Sequence, residues 1–145
     1  MKTNNKLRII LDTNIFLVSI STKSQYHWLF KSLLNGDYNL YITNEILTEY
    51  EEIISNKFNI NVAKDVVKML MILPNVYKSE IYYKWRLIQE DADDNKFSDC
   101  YISSDADYLI THDKHFSILK EIDFPKVNLL KIEEFQSILS KNKTQ

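Results

Sequence analysis

Hydrophobic residues in this chain follow two patterns that alternate along the sequence. Short continuous apolar runs are typical of strands that are buried on both faces of a parallel sheet. These runs cover residues 7–11, 40–42, 108–111 and 127–130, with a weaker one at 76–77. Between them, apolar residues recur at helical spacing over residues 26–34, 44–58, 62–73, 94–104, 115–120 and 132–139. Strands that alternate with helices predict an α/β fold, a central parallel sheet with helices on both faces.

Polar residues mark where several of these helices begin and end. Ser24 is a suitable N-cap for the first predicted helix, and Thr43 or Asn44 for the second. The segment Asn35-Gly36-Asp37 is typical of a helix end. Tyr82–Ile88 fits a strand and a helix equally well, so its conformation stays open at this point.

The length of 145 residues predicts one domain, which we place over residues 1–140, with a disordered tail over 141–145. No run approaches the roughly 20 apolar residues of a membrane span, and the polar start of the chain does not resemble a signal peptide. The single cysteine, Cys100, has no internal partner for a disulfide. These features predict a cytoplasmic protein that does not enter a membrane.

Glycine content and net charge restrict the chemistry further. The chain has one glycine, Gly36, whereas phosphate-binding loops and dinucleotide motifs need several. The net charge of −2, from 20 acidic and 18 basic residues, is not that of a protein that coats nucleic acid. Any chemistry on phosphates must therefore depend on a metal ion and on a local group of lysine and arginine side chains.

Carboxylates follow two of the predicted strands at the point where each strand ends. Asp12 comes directly after the first strand, and Asp113 lies just beyond the strand at 108–111. In parallel sheets such positions meet at one edge, which is where sites form. Two like charges ~4 Å apart repel by about 4 kcal/mol at an effective dielectric near 20. A fold that gathers several carboxylates usually does so around a cation, and oxygen ligands favour Mg²⁺ or Mn²⁺, which act on phosphates.

Further acidic candidates lie on two predicted helices. On the helix at 44–58, Glu49 and Glu51 lie near the two edges of the apolar stripe, and the helical wheel does not choose between them. Asp91 and Asp94 lie at a helix start, where acids also stabilise the helix dipole by about 0.3–1 kcal/mol each. Asp94 shares the core-facing side of that helix and is the better ligand candidate, while Asp99 is expected on the surface.

Three other features carry weaker functional hypotheses. His112 and His115 suggest a zinc site, but a second cluster of histidine or cysteine to complete it is not visible in the sequence. The segment Tyr82-Tyr83-Lys84-Trp85-Arg86 mixes aromatic and basic residues and would suit stacking on single-stranded bases. Packing at a strand edge or against another subunit is the more common role of such a segment. The apolar helix at 66–73 is either core or a dimer surface.

Four motifs, taken together and in order, resemble the PIN domain, and in particular the PIN proteins of bacterial toxin–antitoxin systems. The resemblance covers roughly residues 7–138. The motifs are Asp12-Thr13-Asn14 after the first strand, Thr43-x-x-Ile46-Leu47-x-Glu49-Tyr50, Asp91-x-Asp93-Asp94-Asn95-Lys96-Phe97, and Ala106-Asp107-Tyr108-Leu109-Ile110-Thr111-x-Asp113.

The resemblance implies a three-layer α/β/α sandwich and a ribonuclease that depends on Mg²⁺ or Mn²⁺. It implies that Asp12, Glu49, Asp94 and Asp113 are the catalytic and metal-binding acids, with Asn14 and Thr111 in supporting positions. It also implies an RNA substrate, a cognate antitoxin protein as partner, and a homodimer.

Two departures from the family pattern leave an alternative open. His112 stands where the family commonly has glycine, and Cys100 and Tyr101 stand where it commonly has small residues. The alternative is therefore a PIN domain that binds RNA or a protein without cutting. A phosphatase or receiver domain with a phosphorylated aspartate is a third reading, but Asn14 replaces the second acid that such proteins need.

Overall fold

The structure, a computed structural model, describes residues 6–88 and 92–143. Within these residues, parallel strands form a five-stranded sheet in the order β3-β2-β1-β4-β5. The strands are β1 (Arg8–Leu11), β2 (Asn39–Ile42), β3 (Val76–Lys78), β4 (Tyr108–Ile110) and β5 (Leu129–Leu130). The prediction of a central parallel sheet is confirmed, and the first strand of the chain is its middle strand.

Helices cover both faces of this sheet. They are α1 (Thr13–Ile20), α2 (His27–Leu34), α3 (Asn44–Lys57), α4 (Ile60–Ile72), α5 (Asn95–Ser104) and α6 (Ile132–Lys143), with 3-10 helices at Ala92–Asp94 and Lys114–Glu121. The chain passes from β1 to β2 and β3 on one side of the sheet. It then crosses to the other side of β1, where β4 and β5 lie. Right-handed crossovers therefore place α1 to α4 on one face and α5 on the other.

Aromatic contacts show which helices share a face. Phe97 of α5 packs against Phe116 of the 3-10 helix Lys114–Glu121, with ring centroids 6.1 Å apart. On the opposite face, Phe135 of α6 meets Tyr38, which leads into β2, at 5.3 Å. The chain is thus a three-layer α/β/α sandwich, as the resemblance implied.

The structure departs from the sequence-based expectations at three places. Helix α1 was not predicted. Most of its residues are apolar, and its polar residues Thr13 and Ser19 are buried, so its sequence does not alternate between a polar and an apolar face at helical spacing. The last helix extends to Lys143, four residues beyond the end predicted at residue 139. Tyr82–Ile88 forms neither a strand nor a helix.

No helix in residues 6–88 or 92–143 combines the length and the apolar character that a crossing of the bilayer requires.

The end of β1 is fixed by a buried tyrosine of α3. Residues Ile9, Ile10 and Leu11 of β1 are fully buried, and each such side chain stabilises the fold by about 1.5–3 kcal/mol. Tyr50, also fully buried, stacks on Phe16 with ring centroids 4.5 Å apart, and its hydroxyl donates a hydrogen bond to the Leu11 carbonyl. This contact ties α3 to the backbone directly before Asp12.

The buried Tyr50 hydroxyl gives a stability prediction. Tyr50→Phe leaves the Leu11 carbonyl without its partner inside the core, so we expect a loss of about 1–3 kcal/mol in the free energy of unfolding. Urea titration measures it. Tyr77→Phe is the matched control, because Tyr77 is 43% exposed and stacks on Tyr41 at the sheet edge. Equal, small effects of the two substitutions would show that the Tyr50 hydrogen bond does not stabilise the end of β1.

Candidate metal-binding site

The two carboxylates that follow strands lie at the point where the strand order reverses. Asp12 follows β1 and Asp113 lies just after β4, and these strands are neighbours with Leu11 paired to Ile110. The Asp12 backbone N–H donates to the Ile110 carbonyl at 3.1 Å, which carries the pairing one residue beyond β1. Crevices at such reversal points are where α/β sheets bind ligands.

Thr111 connects these two acids through its hydroxyl. It donates a hydrogen bond to Asp12 Oδ2 at 2.8 Å and accepts one from the Asp113 backbone N–H at 2.9 Å. Both Asp12 and Thr111 are buried, at 7% and 6% exposure. Thr111 therefore fixes the orientation of the Asp12 carboxylate relative to the loop that carries Asp113.

The charge on Asp12 is costly in the absence of a cation. Burial raises the pKa of Asp12 to about 6, against hydrogen bonds from Thr111 and the Thr13 backbone that lower it. The nearby charges of Asp113 and Glu49 raise this pKa further. A divalent ion in the crevice would reverse this balance by favouring the ionised form.

A second group of ligand atoms lies beside Asp113. Asp94, Asp113 and His115 each offer one ligand atom, and these atoms all lie within 4.8 Å of one another. His115 Nδ1 is 3.5 Å from Asp113 Oδ1 and 3.8 Å from Asp94 Oδ2. Two carboxylate oxygens and an imidazole nitrogen are suitable donors for Mn²⁺, and the carboxylates also suit Mg²⁺. The donor set therefore fits the ion that the family resemblance implies.

Glu49 lies near Asp12 but forms an ion pair with a lysine side chain. Its carboxylate accepts a hydrogen bond from the Thr13 hydroxyl and forms a 2.7 Å ion pair with Lys96 Nζ. Lys96 Nζ also lies 2.9 Å from Asp93 Oδ1. Burial opposes the charge on Lys96, but its bonds to Asp93 and Glu49 outweigh this effect and raise its pKa. Lys96 therefore neutralises part of the negative charge beside Asp12.

The other acidic and supporting candidates lie in different environments. Asn14 is exposed on α1, and Glu51 is exposed on α3, so the geometry favours Glu49 over Glu51. The prediction that Asp99 lies on the surface was wrong: it is 5% exposed, and its carboxylate accepts a hydrogen bond from the Trp85 backbone N–H at 3.1 Å. Asp91 lies outside the described residues.

A cavity of about 500 Å³ adjoins the acids on the side of Lys96. Its lining combines three basic and three acidic side chains with Ile88 and Asn95, namely Lys84, Arg86, Lys96, Glu45, Asp93 and Asp99. The Asn95 side chain exchanges two hydrogen bonds of 2.8 Å with the Ile88 backbone. These bonds, with the contact from Asp99, hold the irregular segment at 85–88 against α5.

Three further residues of the site were not predicted in the roles that the structure gives them. Thr13 and Lys96 orient Glu49, and His115 faces Asp94 and Asp113. The available signal was their spacing, since each lies within two residues of a predicted acid. His112 gave no such contact, because its Nε2 lies 3.3 Å from Glu133 Oε1 and accepts a hydrogen bond from the Ile132 backbone N–H.

Comparisons with known proteins bear on the family and the fold. A family model described as PIN domain matches residues 8–115. A search of curated proteins gives no match. The solved structure of VapBC2 from Rickettsia felis, bound to a DNA fragment from the promoter, is similar with a TM-score of 0.60 and 17% identity, over 86% of this chain and 98% of that chain.

Two further solved structures share the fold. VapBC-1 from nontypeable Haemophilus influenzae matches with a TM-score of 0.57 and 16% identity, over 88% of this chain and 99% of that one. VapC20 of Mycobacterium tuberculosis, a toxin that cleaves the sarcin-ricin loop, matches with a TM-score of 0.55 and 13% identity, over 75% and 92%. At these identities the likeness concerns the fold.

The raised pKa of Asp12 predicts how stability changes with pH. Without metal, the unfolded chain loses the Asp12 proton near the ordinary value of 3.8, whereas the folded chain keeps it until about pH 6. Stability from this group is therefore lost as pH rises between these values, by about 3 kcal/mol at most. Asp12→Asn removes the effect, so in EDTA we expect the variant to match wild type near pH 4 and to exceed its stability at pH 7.

Urea unfolding at several pH values measures this difference. Asp105→Asn is the control, because Asp105 is exposed at the other end of α5 and its left-handed backbone suits asparagine. A gap between Asp12→Asn and wild type that stays constant from pH 4 to pH 7 would contradict the burial of an ionisable Asp12.

Proposed function

The chain belongs to the PIN-domain family, and we propose that it is a ribonuclease that hydrolyses RNA phosphodiester bonds with the help of Mg²⁺ or Mn²⁺. The observation that supports this most is the group formed by Asp94, Asp113 and His115, whose ligand atoms lie within 4.8 Å of one another. The buried Asp12 lies next to this group, since Asp113 raises its pKa. Several carboxylates in one crevice are unfavourable unless a cation joins them.

Asp94 and Asp113 would hold the ion, and Asp12 would anchor it from the end of the middle strand. When bound, Mg²⁺ or Mn²⁺ supplies Lewis-acid chemistry, because it activates water as a nucleophile and neutralises charge that develops on the phosphate. Thr111 keeps the Asp12 carboxylate in place through its 2.8 Å hydrogen bond, so that one oxygen faces a fixed direction.

Glu49 would orient the attacking water. Its carboxylate is held between the Thr13 hydroxyl and Lys96, which supports this role over that of ligand to a second ion. Water adds to phosphorus in line with the leaving 3′ oxygen, the bond between phosphorus and that oxygen breaks, and the products are a 5′-phosphate and a 3′-hydroxyl. Lys96 adds a fixed positive charge beside the developing negative charge.

The cavity beside Lys96 suits an RNA strand. Lys84 and Arg86 line it, and aromatic residues are their neighbours in the chain. The ring centroids of Tyr83 and Trp85 are 4.8 Å apart, and those of Trp85 and Phe124 are 6.1 Å apart. Tyr83 and Phe124 are 65% and 81% exposed. Exposed rings beside basic side chains are the usual means of holding unpaired bases and their phosphates.

We propose further that the protein is the toxin of a toxin–antitoxin pair, acts in the cytoplasm and forms a homodimer. The similar folds of VapBC2, VapBC-1 and the cleaving toxin VapC20 support this assignment. A cognate antitoxin would cover the crevice, and the acids there favour a basic or aromatic segment of that partner.

The second candidate function is an RNA- or protein-binding domain that does not cut, which the bulky His112, Cys100 and Tyr101 suggested. The positions of these side chains support catalysis instead. The His112 ring contacts Glu133 and Tyr26. Tyr101 donates to the Asp107 carbonyl, before β4, and Cys100 is fully buried.

A cleavage assay tests the proposed function. Wild type should cut single-stranded RNA in Mn²⁺ and stop in EDTA. Asp12→Asn and Asp94→Asn should each lower the rate by about a hundredfold or more, because each removes a charge that holds the ion. The control Asp105→Asn removes an exposed carboxylate directly after α5, at the opposite end of that helix from Asp94, and should cut like wild type. Cleavage by Asp12→Asn at the wild-type rate would rule out this mechanism.

RNA binding through the cavity is tested separately from cleavage. In the Asp12→Asn background, which prevents turnover, Lys84→Ala with Arg86→Ala should weaken binding to single-stranded RNA. The slope of log K for RNA binding against log salt concentration should also become shallower by about 1.4, because each of the two lost phosphate contacts contributes about 0.7 to this slope. Lys64→Ala with Lys68→Ala, on the exposed face of α4, is the matched control. Equal affinities and salt slopes in both pairs would exclude this cavity as the RNA site.

A further inference from the structure

His115 faces the two acids that the proposed metal site needs. It lies in the first turn of the 3-10 helix Lys114–Glu121, two residues after Asp113. Its backbone N–H donates to Asp113 Oδ1 at 2.9 Å, which closes a tight turn. Because of this turn, the imidazole lies over the carboxylates, with Nδ1 3.5 Å from Asp113 Oδ1 and 3.8 Å from Asp94 Oδ2.

These separations are close to those of atoms that share one ion. Neighbouring ligands of an octahedral ion with bonds of about 2.1 Å lie about 3 Å apart, and opposite ligands about 4.2 Å. The three ligand atoms therefore need to move by less than about an ångström. The His115 side chain is 60% exposed, so no tight packing opposes a movement of this size.

The other two histidines of the chain are engaged elsewhere. His112 Nε2 is directed at Glu133 and the Ile132 backbone, and His27 Nδ1 lies 2.8 Å from the Ser19 carbonyl. Among the residues that the structure describes, the metal group therefore contains one nitrogen ligand, and His115 supplies it.

We propose that His115 binds the metal through Nδ1 and makes the site prefer Mn²⁺ over Mg²⁺. The inference rests on the proposed function, since it requires that Asp94 and Asp113 hold a cation. Imidazole is a good ligand for transition metals, whereas Mg²⁺ prefers carboxylate, carbonyl and water oxygens. A site of acids alone binds the two ions with less distinction than a site with one nitrogen.

Pulsed electron paramagnetic resonance of bound Mn²⁺ tests this directly, because it detects coupling to a ligand ¹⁴N nucleus. The wild-type protein should show the nitrogen signal. His115→Gln should lose it and bind Mn²⁺ about tenfold or more weakly, with Mg²⁺ affinity, measured by competition, nearly unchanged. His112→Gln is the matched control and should keep both the signal and the affinity. Thermal melts in EDTA check that each variant is folded.

The outcomes separate this inference from the function on which it rests. Mn²⁺ that binds wild type without a nitrogen signal, or a signal that persists in His115→Gln, would overturn the role of His115; cleavage in Mn²⁺ would then still support the nuclease. Absence of Mn²⁺ binding to wild type at millimolar concentration would overturn both.

Discussion

The constraint on which this structure depends is the placement of negative charge at the ends of the two middle strands. Asp12 is buried, and burial together with Asp113 and Glu49 makes its ionised form unfavourable. The fold offsets this in part with the Thr111 hydrogen bond and with Lys96, which neutralises Glu49. What remains is a crevice in which a divalent ion would be stabilising, so the feature that costs stability in the free protein is the one that can recruit a cation.

Neighbouring residues of the same helices stabilise the core and orient the side chains of the site. Tyr50 and Glu49 are neighbours on α3; the first anchors the end of β1 inside the core, and the second accepts a hydrogen bond from Thr13 directly after Asp12. On the opposite face, α5 starts directly after Asp94 and presents Lys96 to Glu49. The two helical layers therefore meet at the crevice through charged side chains, and the sheet between them sets their separation.

The sequence predicted the parts of the fold that follow from periodicity. Apolar runs identified the sheet, and the placement of Asp12 and Asp113 after strands predicted that they meet. Periodicity could not choose between Glu49 and Glu51, because that choice depends on Thr13 and Lys96 across the crevice. It misplaced Asp99, whose burial depends on a backbone N–H from the irregular segment at 85–88. His115 was considered only for a zinc site with His112, because the sequence does not show the tight turn that directs its ring toward Asp94 and Asp113.

We propose that side chains distant in sequence form one site for a divalent ion. Anomalous diffraction from crystals soaked in MnCl₂ tests it most directly, because it locates the ion without reference to activity. We expect a single strong peak within bonding distance of the Asp94 and Asp113 carboxylates, beside Asp12. The absence of a peak in the crevice at millimolar Mn²⁺, or a peak only beside acidic residues elsewhere on the surface, would contradict the proposed site.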